Sequence, residues 1–252
     1  MKEQFKDKNE FYNLLQQKFE KMGFREGINF EQGEQFWQYL NFLREENQHY
    51  NITGLDRPSE ILSYHFLDSA AIFTDKRINR NNWKHVLDLG SGAGFPGMVY
   101  KILYPELPVF FLDSRLKRTI FLQKLVKKIS LIETPYSIVH GRAEDYGSQP
   151  NYREKYNPVV SRAVAPLNIL CEYDLPFVQL GGFMYAYKSQ DCENEIESAL
   201  DAITLLGGKI EDIIEIKVPG IEKLRKIISI KKIQKTPEKY PRRAGRPRKS
   251  PL

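Results

Sequence analysis

From Phe5 to Met22 the apolar residues Phe11, Leu15, Phe19 and Met22 recur at helical spacing, and Phe36, Leu40 and Leu43 do the same in the next segment. Both segments read as amphipathic helices, with Gly23 to Gly33 as the loop between them. The stretch His49-Tyr50-Asn51-Ile52-Thr53-Gly54 breaks the second helix with Asn and Gly. Pro58-Ser59-Glu60 then starts a third helix, with Ser59 placed to act as its N-cap. Leu62, Phe66, Ser69 and Phe73 form one stripe of that helix; Ile61, His65 and Asp68 lie on another. His65 and Asp68 are three apart, close enough for their side chains to meet.

The middle of the chain changes period. His85 to Gly90, Val109 to Asp113, Tyr136 to His140 and Pro158 to Ser161 are short apolar runs that read as strands. Helical segments separate them: Pro96 to Tyr104, then Arg115 to Ile129 bearing Leu116, Ile120, Leu125 and Ile129. This alternation predicts a parallel sheet with helices on both faces. Phe183 to Lys188 adds a fifth strand and Glu193 to Leu205 another helix, while Ile210 to Val218 and Lys226 to Ile233 alternate apolar and polar around Pro219-Gly220. The last pair predicts an antiparallel hairpin. The fold expected is therefore α/β and Rossmann-like, with a mostly parallel seven-stranded sheet. Its divisions are a helical extension over 1–82, a main domain over 83–238 and a basic tail over 239–252.

The turn after the first strand carries the chemistry. Asp88-Leu89-Gly90-Ser91-Gly92-Ala93-Gly94-Phe95-Pro96-Gly97 is a strand end, a glycine turn and a helix start, with Pro96 suited to the first helical position. Gly90 and Gly92 allow a ligand to approach the backbone without a Cβ in the way. Gly92-x-Gly94-x-x-Gly97 matches the dinucleotide fingerprint, whereas Asp88-x-Gly90-x-Gly92-x-Gly94 matches the first motif of S-adenosylmethionine (SAM) methyltransferases. Asp113 ends the second strand where an acid accepts from ribose hydroxyls, which serves either cofactor. The adenine is expected beside Gly141-Arg142-Ala143-Glu144-Asp145, with capping of the next turn the plainer role for Glu144 and Asp145.

Composition narrows the partner. Among the 252 residues 41% are hydrophobic and 28% charged, and Cys171 and Cys192 lack paired spacing, so a disulfide framework or cysteine metal site is not expected. The four histidines include no His-x-x-x-His pair, and no metal is expected. Met1 to Glu10 lacks an apolar leader, and a cytoplasmic chain off the membrane is expected. The net charge is +6, and Lys239 to Leu252 holds Lys239, Arg242, Arg243, Arg246, Arg248 and Lys249 without an acid. Either a solvated tail or a polyanion-binding segment fits that pattern.

Six motifs in order carry a resemblance. Asn51-Ile52-Thr53, His65-Phe66-Leu67-Asp68-Ser69, Asp88 to Gly97, Phe111-Leu112-Asp113-Ser114 with Lys117-Arg118, Ser161-Arg162-Ala163 and Tyr240-Pro241-Arg242-Arg243-x-Gly245 together resemble the glucose-inhibited division protein B family. These are bacterial methyltransferases acting on N7 of a guanine in small-subunit (16S) ribosomal RNA. The resemblance implies SAM as cofactor, held by Gly90, Phe95, Asp113, Ser114, Arg115, Ala143, Glu144 and Arg162, with Gly92 joining them in the loop. The sequence departs from the family at Leu116, where Gly is usual, at Val99, where Pro is common, and at Ser189, where Gly often follows the lysine.

The chemistry agrees with a ring-nitrogen target. The fourth strand is followed by Ser161-Arg162-Ala163-Val164-Ala165-Pro166, not by the Asn/Asp-Pro-Pro-aromatic loop used on exocyclic amines, and neither cysteine sits in the Pro-Cys context used on pyrimidine carbons. Guanine N7 presents a lone pair and no proton, so no catalytic proton-transfer residue is assigned.

Lys188 is expected at a phosphate or guanine O6, and Asn51, His65 and Asp68 at the entrance; internal hydrogen bonding is the alternative for each. Arg242, Arg243, Arg246, Arg248 and Lys249, with Lys231 and Lys232 as further candidates, would grip RNA phosphates, and about five such contacts give a log–log salt slope of roughly −3 to −4. A monomer is expected. The competing readings are an NAD(P)-dependent oxidoreductase and an RNA-binding assembly factor without catalysis.

Overall fold

The computed structural model describes residues 5–252. The first four residues of the Met1–Glu10 segment lie outside the described residues.

Helix α1 (Lys8–Met22) is capped by the Asp7 carboxylate accepting from the Glu10 N–H and ends at Gly23 in the left-handed region. Helix α2 (Phe30–Tyr50) begins inside the stretch expected to be loop, because Asn29 and Gln32 form a reciprocal capping box. Gly33 is consequently helical and packs against the Tyr12 ring. Asn51 ends α2 with φ of 48°.

The third helical segment also differs from expectation at its start. Pro58 takes the first position of α3 (Pro58–Glu60), suited by its fixed φ, and Ser59 makes no cap. A π-helical turn over Ile61–Leu67 follows, then α4 (Asp68–Ala70). The segment lies between the N-terminal helices and the sheet, so Ile61 and Asp68 are buried along with Leu62, Phe66 and Ser69.

The remaining elements are β1 (Val86–Leu89), α5 (Gly97–Leu103), β2 (Val109–Asp113), α6 (Leu116–Lys128), β3 (Tyr136–His140), α7 (Ala143–Tyr146), β4 (Val159–Arg162), α8 (Leu167–Asp174), β5 (Phe183–Ser189), α9 (Glu193–Glu197), α10 (Leu200–Leu205), β6 (Gly208–Ile216), β7 (Arg225–Lys232) and α11 (Arg246–Lys249). Three local expectations change. Pro96 is the cap of α5 and not its first residue. The expected single helix over Glu193 to Leu205 is two, α9 and α10. On α6 the buried face is Phe121, Leu122, Leu125 and Val126, while Leu116 and Ile120 are exposed.

The seven strands form one sheet in the order β3-β2-β1-β4-β5-β7-β6. Strands β1 to β5 pair in parallel, and β7 runs antiparallel to both β5 and β6. The register sets Leu89 opposite Leu112, Asp113 opposite His140 and Arg162 opposite Tyr187. All the expected ligand-bearing strand ends therefore open on one edge of the sheet. One apolar core joins α1, α2 and the third helical segment to a sheet face; a second, on α8 and α10, includes Tyr240 from the C-terminal segment.

Candidate active site

Gly90 follows β1 at φ of 72°, and a Cβ there would fall 2.5 Å from Val164 Cγ2. Only glycine fits that combination of turn and close approach. Beyond the turn, the buried Asp88 carboxylate accepts the Gly97 N–H at 2.8 Å, fixing the start of α5. Burial pushes the Asp88 carboxyl up to about 7.

Two cavities flank this loop and meet at Gly90, Arg118 and Ala163. The first, of about 370 Å³, takes Asp113, Ser114 and Arg115 from the end of β2, Gly141 to Glu144 from the end of β3, and Tyr173 from α8. Asp113 Oδ2 accepts the Gly92 N–H and Oδ1 the Arg115 N–H, each at 2.8 Å, and Arg118 Nη1 stands 3.5 Å from Oδ2. A carboxylate offers about four acceptor sites, so capacity for ribose hydroxyls remains.

The second cavity, of about 310 Å³, is lined by Gly92, Phe95, Ile52, Thr53, His65, Asp68 and Arg162 among others. Arg162 Nη1 donates to Tyr64 O at 2.7 Å and Asp68 Oδ2 at 3.0 Å, and Nη2 donates to His65 Nδ1 at 3.1 Å. His65 and Asp68 thus meet through Arg162 and not directly as their spacing suggested. Burial and the neighbouring guanidinium push His65 down to about 3, so the ring is neutral. With Nδ1 accepting, its proton sits on Nε2 and is donated to Thr53 Oγ1 at 2.7 Å. The His65 ring stacks on Phe95 at 4.4 Å, and Tyr39 of α2 stacks on the same ring at 5.2 Å. Arg225 Nε donates to Asp68 Oδ1 at 2.8 Å. Arg162 has spent three of its five N–H donors on the protein, leaving two for a ligand.

The residues anticipated for the cofactor divide between the cavities: Asp113, Ser114, Arg115, Ala143 and Glu144 in the first, Gly92, Phe95 and Arg162 in the second, with Gly90 in both. A glycine-walled, acid-floored cavity joined to an arginine-bearing one suits a nucleoside linked to an amino acid, and SAM fits that description. Asn51 lines neither cavity; it is the cap of α2, two residues before Thr53.

Several cations lie elsewhere than expected. Lys188 Nζ donates to Ala165 O at 2.9 Å and pairs with Glu195, so its charge is already used. Arg242 is locked on Glu172. Lys232 is fully buried on Glu154, Leu175 O and Thr236, and half-buried Lys231, 3.9 Å from Glu211, stands opposite Phe183 at the other sheet edge. A cation wholly or partly withdrawn from water needs an internal partner, and Lys188, Arg242 and Lys232 each have one.

Other lining residues escape sequence reasoning. Arg118 faces both cavities because it lies three residues after Arg115, one helical turn on. Gly245 and Arg248 line the first cavity because the C-terminal segment folds back over it, and nothing local signals that.

A family model described as rRNA small subunit methyltransferase G matches residues 32–224. The chain belongs to this family. A family relative from Acetivibrio thermocellus, ribosomal RNA small subunit methyltransferase G, is 45% identical, covering 91% of this chain and 93% of the relative. The protein of that name from Clostridium novyi is 38% identical over 96% of this chain and 97% of its own. Among solved structures, the apo S-adenosylmethionine-dependent methyltransferase SibL shares the fold, with a TM-score of 0.52 at 15% identity over 78% of this chain and 69% of that one. Family membership sets aside the oxidoreductase alternative, and the cofactor of the family's reaction is SAM.

Proposed function

We propose that this chain transfers a methyl group from SAM to N7 of a guanine in small-subunit ribosomal RNA. The observation that carries the reading is the paired cavity at Gly90: an acid-floored half for the nucleoside and a half bearing Arg162 for the amino acid. The family and its relatives' names supply the reaction and the RNA.

When bound, SAM supplies an electrophilic methyl carbon on a sulfonium. On this reading Asp113 holds the ribose, the Ala143–Glu144 turn meets the adenine, and the two remaining donors of Arg162 take the methionine carboxylate. Phe95, braced by His65 and Tyr39, walls the path between the halves. Guanine N7 has no proton to lose, so the chain need only align the nitrogen with the departing sulfur; such positioning supplies up to about 7–11 kcal/mol. The positive charge moves from sulfonium to guanine and is not created. The base must be unstacked to reach the cavity.

Phosphate contacts fall to Arg243, Arg246 and Lys249, with Arg248 at the cavity rim. The 1–82 extension supplies the entrance, 83–238 the cofactor cavity and 239–252 the RNA-facing segment. Both cavities are built within one chain, in keeping with a monomer. Two buried free cysteines suit a cytoplasmic setting. Among the described residues no helix is long and apolar enough to cross a membrane.

The test is incubation of small subunits and naked ribosomal RNA with radiolabelled SAM, followed by digestion to nucleosides. Label in 7-methylguanosine is expected. RNA binding with no transfer overturns the reading in favour of the assembly factor.

A further inference from the structure

A third concavity, of about 470 Å³, opens beside the cavity that bears Asp113. Its walls are Arg142, Arg243, Arg246 and Lys249, with Ala244 and Gly245. Four cations thus face one space, and none of the four side chains has a carboxylate partner among the described residues. The contrast is with Arg242 next in the chain, which is held by Glu172. Arg142 comes from the turn after β3, about a hundred residues from the others in sequence, so the cluster is made by the docking of the C-terminal segment. Its size falls in the range of about 300–1,000 Å³ typical of ligand sites.

We propose that these four residues cradle a phosphodiester of single-stranded RNA, and that filling the cradle strengthens SAM binding. The proposal rests on the RNA reading above and adds a defined anion site and a coupling to it. Guanidinium groups favour phosphate because their fork matches its oxygens. The coupling follows from a shared wall: Arg142 and Gly245 line both spaces. The Gly245 N–H donates to Glu144 Oε1 at 2.9 Å, and Glu144 itself lines the cofactor cavity. Unfilled, the four like charges repel and loosen the segment that closes the cofactor cavity. A phosphate neutralises them and holds the wall in place, and linkage requires SAM to tighten RNA by the same factor.

The test uses the full chain, calorimetry with SAM, and a guanine-containing single-stranded RNA oligonucleotide titrated at several salt concentrations. The double variant Arg243→Gln/Arg246→Gln is compared with Lys209→Gln/Lys231→Gln, which removes equal charge at the far sheet edge, where the two lysines stand opposite each other. In the unsubstituted chain RNA is expected to tighten SAM by about five-fold or more. The cradle variant should lose that tightening, and its RNA salt slope should flatten by about 1.4, two contacts at about 0.7 each. The control should keep both. Equal behaviour of the two variants overturns the cradle. Inorganic phosphate that reproduces the tightening, and that RNA does not displace, assigns the site to a free anion and also overturns it. Absence of SAM binding to the unsubstituted chain sinks the methyltransferase reading instead, and the salt slopes still judge the cradle.

Discussion

Arg242 and Glu172 are joined by a forked ion pair, Nε to Oε1 at 2.8 Å and Nη2 to Oε2 at 2.5 Å, and the Arg242 N–H adds a third bond to Oε1 at 2.8 Å. Glu172 is fully buried on α8, so this pair nails the C-terminal segment to the body of the fold. The segment in turn walls the cavity that bears Asp113 through Gly245 and Arg248.

Glu172→Ala is therefore expected to leave a guanidinium without its partner and to cost about 3 kcal/mol of stability. SAM affinity should fall with it, because the wall undocks. Denaturant unfolding and calorimetry measure the two effects, and unchanged SAM affinity in a folded variant would separate the segment from the cofactor site.

Asp113→Ala removes the acceptor for two backbone N–H groups and, on the proposed function, for the ribose. SAM affinity should drop by at least about 100-fold, given hydrogen bonds to charged groups at about 1.5–3 kcal/mol each. Calorimetry on the folded variant decides it.

Arg162→Lys keeps the charge and loses the fork that reaches His65 and Asp68 together. We expect methyl transfer to fall on the order of 100-fold through misplacement of the cofactor. His65 is neutral far below physiological pH, so the remaining activity should show no step near pH 6.5 from this ring. A rate profile against pH checks both statements.

Burial pushes the Asp174 carboxyl up to about 8 from its usual 3.8. Between those values the folded chain keeps a proton that the unfolded chain releases, so this group's contribution to stability falls as pH rises and is lowest above about 8. Asp174→Asn should match the unsubstituted protein near pH 4 and exceed it near pH 9 by about 2–5 kcal/mol. Chemical denaturation at the two pH values measures the difference.

Lys188→Met tests whether that ammonium serves the fold alone. With its ammonium already held by Glu195 and Ala165 O, the substitution should lower stability and leave the RNA salt slope unchanged. A slope flattened by about 0.7 would return Lys188 to the RNA contacts.

The order of strands and helices, the glycine turn and the place of Asp113 were legible in the chain because each is a local pattern. Period-2 and helical spacing, turn residues and a motif at a strand end do not depend on distant partners. Helix starts were less secure. The capping box at Asn29 and Gln32 carried α2 into a glycine-bearing stretch, and Pro58 displaced Ser59 as the opening residue of α3. The buried face of α6 was set by packing against α2 and the sheet, which left Leu116 and Ile120 outside.

What only the tertiary structure decided is which charges remain available. Lys188, Lys232, Arg242 and Arg243 look alike as letters in a basic chain. Glu195, Glu154 and Glu172 hold the first three, of which Lys232 is fully buried and the other two are partly so, and the fourth is left facing a shared cavity with Arg142. Pairs such as Arg225 with Asp68, 157 positions apart, arise from the sheet order and leave no trace in local spacing. A charge drawn out of water needs a partner, so the tertiary structure pairs some cations and leaves others facing a cavity, and the letters alone do not say which.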